Sequence, residues 1–346
     1  MAVMRNAWRI IVGGVCGAAG AVLWALSLAV YQQLMEPTGF FTTEDGQSYP
    51  NLASNNTYWP REIRHMAILL AFAGVAVICR ARPRGLAVGA VGAVAWLGVD
   101  LWLDRIDIDG RTAAFWLAAA GIVAFAATAV VAFVLTRGRP DSSWGRYVAA
   151  GTLPMLAALT LFITTPWDEP VTNPDDVRIE NAVTLFQVGL LSLFVLAMVA
   201  LLADDLARTR VWWFGGFLAA MAAIAGLTLY SNGQYSNVGQ LAMVVVGLLA
   251  VAAARDVPRA ILTAVAAAGL LMLPVVILVV IIGGMIVGGI MTSIAGNPAV
   301  NGADTDLTFA VPGLVVGVLG AVVTHIVASS ARRAPATGAV PAVSEP

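Results

Sequence analysis

Six ionisable residues near the ends of apolar segments are the ones able to do chemistry in this chain. Asp100 lies within a long apolar run, and Asp104 follows one helical turn later on the same face. An ionisable group inside a membrane is costly unless it works, so Asp100 is the leading candidate for a cation or proton site. The competing reading is an interfacial Asp that reaches the headgroups. Arg61, Arg64 and His65 stand at the start of another apolar run, with Glu62 beside them. If the helix begins early, the spacing puts the two Arg and the His on one face. That cluster would hold a lipid phosphate or an anionic substrate, or serve as an interfacial anchor.

Other polar positions are weaker. Asp104, Asp107 and Asp109 before Gly110 resemble a calcium loop in outline. In an EF-hand register, however, Arg105 takes the first ligand position and Trp116 takes the place of the bidentate Glu. His325 near the C-terminal end has no carboxylate at its depth to orient it. With only two His in the chain, a zinc site and a His-dependent hydrolase both lack their ligand sets. Gln187, Gln240 and Thr160 read as hydrogen-bonding aids between helices. Cys16 and Cys79 read as small buried hydrophobes. No nucleotide-, metal- or cofactor-binding motif names a reaction.

The elements that position these residues follow from hydropathy. Of 346 residues, 60% are hydrophobic and 11% are charged, against roughly 25% charged in soluble domains. Such a chain cannot cover a water-soluble globule with polar surface, so its main solvent is the lipid bilayer. A helix needs about 20 apolar residues to cross the hydrocarbon. Ten segments qualify: 9–31, 63–79, 85–103, 113–135, 147–165, 182–202, 211–230, 238–254, 261–291 and 309–329. The expected fold is therefore all-α, a polytopic bundle of about ten transmembrane helices forming one integral membrane domain over 1–333. The Ala- and Pro-rich tail 334–346 reads as disordered. The first run is too long for a signal peptide h-region and lacks a cleavage site, so it reads as a retained span.

All 19 basic residues are Arg. With the N-terminus inside, fourteen of them fall on the inner side and five on the outer, which predicts an N-in/C-in topology. Abundant Ala, Gly and Val with no Lys suggest a GC-rich bacterial source, and hence the bacterial cytoplasmic membrane. The net charge of -1 and the lack of a basic stripe argue against a nucleic-acid partner. The inner loops are short, and the outer loops are longer and acidic, including Glu36, Glu44, Asp45, Asp168, Glu169, Asp304 and Asp306.

Glycine spacing predicts how the bundle closes. Gly85 and Gly89, Gly284 and Gly288, and Gly313 and Gly317 each share a helix face, and the ninth and tenth segments are expected to pack closely. Pro274 removes a backbone hydrogen bond within the ninth segment, and Gly283 and Gly284 follow it. These three mark the expected hinge.

Three functions fit. A permease, exporter or membrane subunit would handle an apolar or amphipathic cargo, since buried charge for ion coupling looks scarce. It would bind a lipid or amphipathic ligand and work with a separate energising subunit as protein partner. A non-catalytic scaffold or accessory subunit of an envelope complex is the second reading. An outward-facing enzyme of envelope lipid or glycan metabolism, with Glu44 and Asp45 as its acidic pair, is the third.

Overall fold

A computed structural model describes residues 2–35, 40–50, 58–163, 167, 171–203, 205, 211–230, 236–254, 259–296 and 307–333. The tail 334–346 and the loop positions Glu36, Asp168, Glu169, Asp304 and Asp306 lie outside these residues.

The described chain is helical apart from one short hairpin. Helix α1 (Ala2–Leu26) passes through a π-helical turn, Ser27–Tyr31, into α2 (Gln32–Met35). Strands β1 (Phe40–Thr42) and β2 (Ser48–Pro50) pair antiparallel, with Phe41 opposite Tyr49. Then come α3 (Trp59–Ile78), α4 (Pro83–Arg105), α5 (Arg111–Thr136), α6 (Ser143–Leu159) and α7 (Pro174–Leu202). The chain ends with α8 (Val211–Tyr230), α9 (Ser236–Ala254), α10 (Arg259–Ala295) and α11 (Ala310–Arg333). Helices thus stand at all ten apolar segments, and among the described residues seven are long and apolar enough to cross a membrane.

Local chemistry sets the helix starts. Pro60 and Pro83 occupy the first turns of α3 and α4, where their missing N–H is no loss. The Ser142 hydroxyl accepts from Gly145 N at 3.1 Å to cap α6, and the Asn173 side chain accepts from Asp175 N at 3.2 Å to cap α7. Pro60 also places the charged turn Arg61–His65 inside the helix, so α3 begins earlier than the apolar run alone.

Burial divides the helices by role. In α6 89% of the apolar stretch is buried, and in α4 and α5 only 22%. Helix α6 is the central post, packed against α7, α9 and α11. Helices α4 and α5 form an outer wall whose apolar side chains, such as Val91, Val123 and Phe133, face outward. Between post and wall lie α1 and α3, packed on one another along most of their length.

That last contact is made by backbone. A Cβ on Gly13 would come within 2.6 Å of Gly74 O, and one on Gly74 within 2.5 Å of Gly13 O. Gly20 meets Ala67 O in the same way, at 2.6 Å. With no side chain between them, the two helices cannot slide without losing these contacts. This fixes the height of Trp24 and Gln32 against Arg64 and His65.

The glycine pattern in α11 has a different partner from the expected one. Gly313 faces Leu159 and Gly317 faces Met155, both on α6, and Gly151 of α6 faces Ala321 in return. Helix α10 also packs on α11, with Gly283 against Pro312 and Gly284 against Thr308 and Phe309. Small residues state that a close approach exists, and burial of α6 decides with whom. Gly85 and Gly89 of α4 pack on Cys79 and Phe72. Helix α10 runs unbroken across Pro274, which is exposed.

Candidate functional site

At one end of the bundle, the end of α1, the starts of α3 and α11, and the ends of α4 and α10 converge. Here Arg61, Glu62, Arg64 and His65 of α3 meet Asp100 and Asp104 of α4. None of the six is more than 3% exposed. The apparent scarcity of buried charge is thereby overturned: composition counts charges along the chain, and these six are concentrated in one place.

Arg64 is the hub. Its Nη2 and Nη1 donate to Asp104 Oδ2 and Oδ1 at 2.8 and 3.3 Å, a fork-to-fork pair. Nη1 also donates to Gln32 Oε1 at 3.1 Å, and Nε lies 3.2 Å from Asp100 Oδ1. Arg61 reaches Asp104 Oδ2 at 3.4 Å from its Nη2, and its Nη1 donates to the Thr292 hydroxyl of α10. The Trp24 indole N–H completes Asp100, donating to Oδ1 at 2.7 Å.

The other side of α3 faces α11. Glu62 Oε2 accepts from Phe309 N at 2.9 Å and from the Thr308 hydroxyl at 3.1 Å, so this carboxylate caps the start of α11. The Thr308 hydroxyl also lies 2.9 Å from His65 Nδ1, and His65 Nε2 is 3.7 Å from Asp100 Oδ2. Glu62, Thr308, His65 and Asp100 thus form a line from α11 to α4. Thr308 N donates to Gly284 O at 3.2 Å, which ties the same line to α10.

The π-helical turn of α1 adjoins this cluster. The Ser27 hydroxyl donates to Pro60 O at 3.1 Å, and Ala29 O accepts from Gly110 N at 2.8 Å at the start of α5. A π turn inserts one residue and frees backbone groups for other partners, and here Ala29 O takes the N–H at the start of α5.

Beside the cluster, an apolar groove of about 320 Å³ opens between α1, α3, α4 and α5. Trp24, Ile68, Phe72, Trp96, Leu117 and Phe125 line it, and its one hydroxyl, Thr128, donates back to Ala124 O at 2.9 Å. Gly89 and Gly92 of α4 keep the floor low.

The remaining sequence candidates separate from this centre. Asp104 turns inward, whereas Asp107 and Asp109 are exposed, so the calcium-like run is split. Among the described residues no group of three or more His, Cys, Asp or Glu is arranged to hold a metal. His325 packs near Trp144 and Tyr147, with ring centroids 6.5 and 6.2 Å away. The Gln187 amide donates to Ile163 O, and the Thr160 hydroxyl donates to Ala157 O at 2.7 Å. Cys16 and Cys79 are both buried thiols. Asp45 sits in the tip of the β1–β2 hairpin, where the Thr43 hydroxyl holds its carboxyl below the usual range.

Sequence reasoning picked Asp100 with Asp104 on one face and Arg61, Arg64 and His65 as a separate cluster, and the structure brings all five together. It missed Trp24, Gln32, Glu62 as a cap, Thr292 and Thr308. Two Arg one turn apart on one apolar segment and two Asp one turn apart on another were the available signal. Two such pairs are affordable in a bundle interior only if they meet.

The fold and the site define a multi-pass helical membrane bundle closed at one end by a buried charged cluster. No protein-family profile, curated protein or solved structure matches the chain.

Proposed function

We propose that this is a transport-related membrane protein whose cargo is amphipathic, with the apolar part of the cargo held in the groove between α1, α3, α4 and α5. One observation carries the reading: the groove is apolar, its outer walls α4 and α5 turn apolar side chains outward, and its Trp24 is hydrogen-bonded to the charged cluster. A volume of about 320 Å³ lies at the lower end of small-molecule sites, roughly 300–1,000 Å³. A chain-like apolar group entering from the lipid side fits it without desolvating any charge.

In this reading all ten helices cross the bacterial cytoplasmic membrane with both termini inside, and the cluster lies toward the outer face. Arg placement, fourteen inside against five outside, supports that orientation. The hinge stays with Pro274, Gly283 and Gly284 of α10, because the two glycines abut the start of α11 and so border the cluster. The short inner loops favour a separate energising subunit.

The test is purification in native nanodiscs with mass spectrometry of bound lipids and proteins, for wild type and Ala124→Trp. Ala124 is exposed and lines the groove, so an indole there fills it without entering the core. One enriched amphiphile that disappears in the variant is the expected result. An amphiphile retained equally by both proteins would exclude the groove. A stoichiometric protein covering the α4–α5 wall would make the chain an accessory subunit instead.

A further inference from the structure

Among the described residues, the charges in the cluster do not balance. Arg61 and Arg64 bring two positive charges, and Glu62, Asp100 and Asp104 bring three negative ones. The two guanidiniums face the two Asp residues. Glu62 faces neither: its Oε2 takes Phe309 N–H and the Thr308 hydroxyl, and its Oε1 is buried with no hydrogen-bond partner among the described residues. Among the described residues, the elements around it add no further charge there. Helix α10 presents Thr292, the lead into α11 presents Thr308, and α2 presents Gln32. A buried net negative charge is strongly disfavoured, so the remaining ionisable group, His65, decides the balance.

Hydrogen counting narrows the states. Thr308 has one hydroxyl hydrogen and lies between Glu62 Oε2 and His65 Nδ1. In the first state Thr308 donates to an ionised Glu62, and His65 donates from Nδ1 to Thr308. Nε2 then carries a hydrogen toward Asp100, because a bare Nε2 lone pair would face the Asp100 carboxylate at 3.7 Å. His65 is then the imidazolium. In the second state a protonated Glu62 donates to Thr308, Thr308 donates to Nδ1, and a neutral His65 again points Nε2–H at Asp100. Both states hold the same number of protons, and both bring the cluster to zero charge.

We propose that Glu62 and His65 share one exchangeable proton through the Thr308 hydroxyl, making this cluster a proton-binding site. Passage between the states is balanced. The Glu62 proton moves to Thr308 Oγ1 as the hydroxyl hydrogen of Thr308 moves to His65 Nδ1, and the positive charge appears on the ring. Loss of the proton leaves an uncompensated carboxylate at the start of α11 and a lone pair against Asp100. The site is independent of the cargo reading, since it concerns protonation alone.

The chain has two His, so nitrogen-15 histidine NMR of His325→Gln in nanodiscs reports His65 alone. Over about pH 5 to 8, we expect the His65 ring nitrogens and the Glu62 carboxyl carbon to shift with one common midpoint. In Glu62→Gln the cluster is neutral with a neutral His65, so the ring is expected to stay neutral throughout. Thr308→Val keeps both end groups and removes the hydroxyl that both states use, so the proton is expected to settle on one group and only that group to titrate. An unchanged His65 titration in Glu62→Gln, both groups still titrating together in Thr308→Val, or a His65 that never titrates would each overturn the proposal.

Discussion

Trp24 joins the groove to the charged cluster through Asp100: its ring lines the groove and its indole N–H ends on Asp100 Oδ1 at 2.7 Å. Asp100 receives Arg64 on that same oxygen and faces His65 with the other. An occupant that tilts the indole therefore changes what holds Asp100, with no contact of its own to any charge.

Trp24→Phe retains the ring surface and removes the N–H. A hydrogen bond to a charged group is worth about 1.5–3 kcal/mol, and a loss of that order is expected in reversible unfolding in detergent. If stability is unchanged, the indole N–H is not holding Asp100.

Arg64→Lys tests whether charge alone suffices. The guanidinium serves Asp100, Asp104 and Gln32 from three nitrogens, a fork that one ammonium cannot reproduce. Lys is expected to recover little of the roughly 3–5 kcal/mol lost when one partner of a buried pair is removed, as judged against Arg64→Ala. A Lys variant as stable as wild type would reduce Arg64 to a point charge.

Gly74→Ala tests the crossing that sets the height of the cluster. The added methyl meets Gly13 O at about 2.5 Å, and neither backbone has room to yield. We expect a loss of about 1–3 kcal/mol, typical of overpacking, together with weaker protection of Trp24 from quenching. Gly14→Ala, which meets no neighbouring atom within 4 Å, is the matched control and should be neutral.

How much of this was legible follows the kind of information each feature needs. Helix positions were readable because hydropathy is local, and the Arg61–Arg64–His65 face was readable because helical spacing is local. The meeting of that face with Asp100 and Asp104 was not, since one sequence carries no register between helices. Trp24, Gln32 and Thr308 were hidden for another reason. Each is a neutral residue at a segment end, and its role exists only once a charged neighbour arrives. The α11 glycines announced a close contact without its partner, which is why α10 was expected and α6 was found.

Gly284→Ala tests the junction of α10 with α11. Its methyl would lie about 3.0 Å from Thr308 O, displacing the residue that bonds Glu62 and His65. The expected result is a changed His65 spectrum in a protein that still purifies as a monodisperse species. Gly289→Ala, which has open space around it, should leave that spectrum alone.

The π-helical turn Ser27–Tyr31 gives α1 an odd length between two fixed points. Gly13 and Gly20 anchor the helix below, and Gln32 must reach Arg64 above. Deleting one residue of that turn would restore regular winding with Gln32 still facing Arg64, whereas deleting one between Gly20 and Ser27 would swing Gln32 by about 100°, away from its guanidinium. A single surplus residue is taken up within one turn, so a change in the length of α1 is absorbed there and shifts the register of this end of the molecule anywhere else.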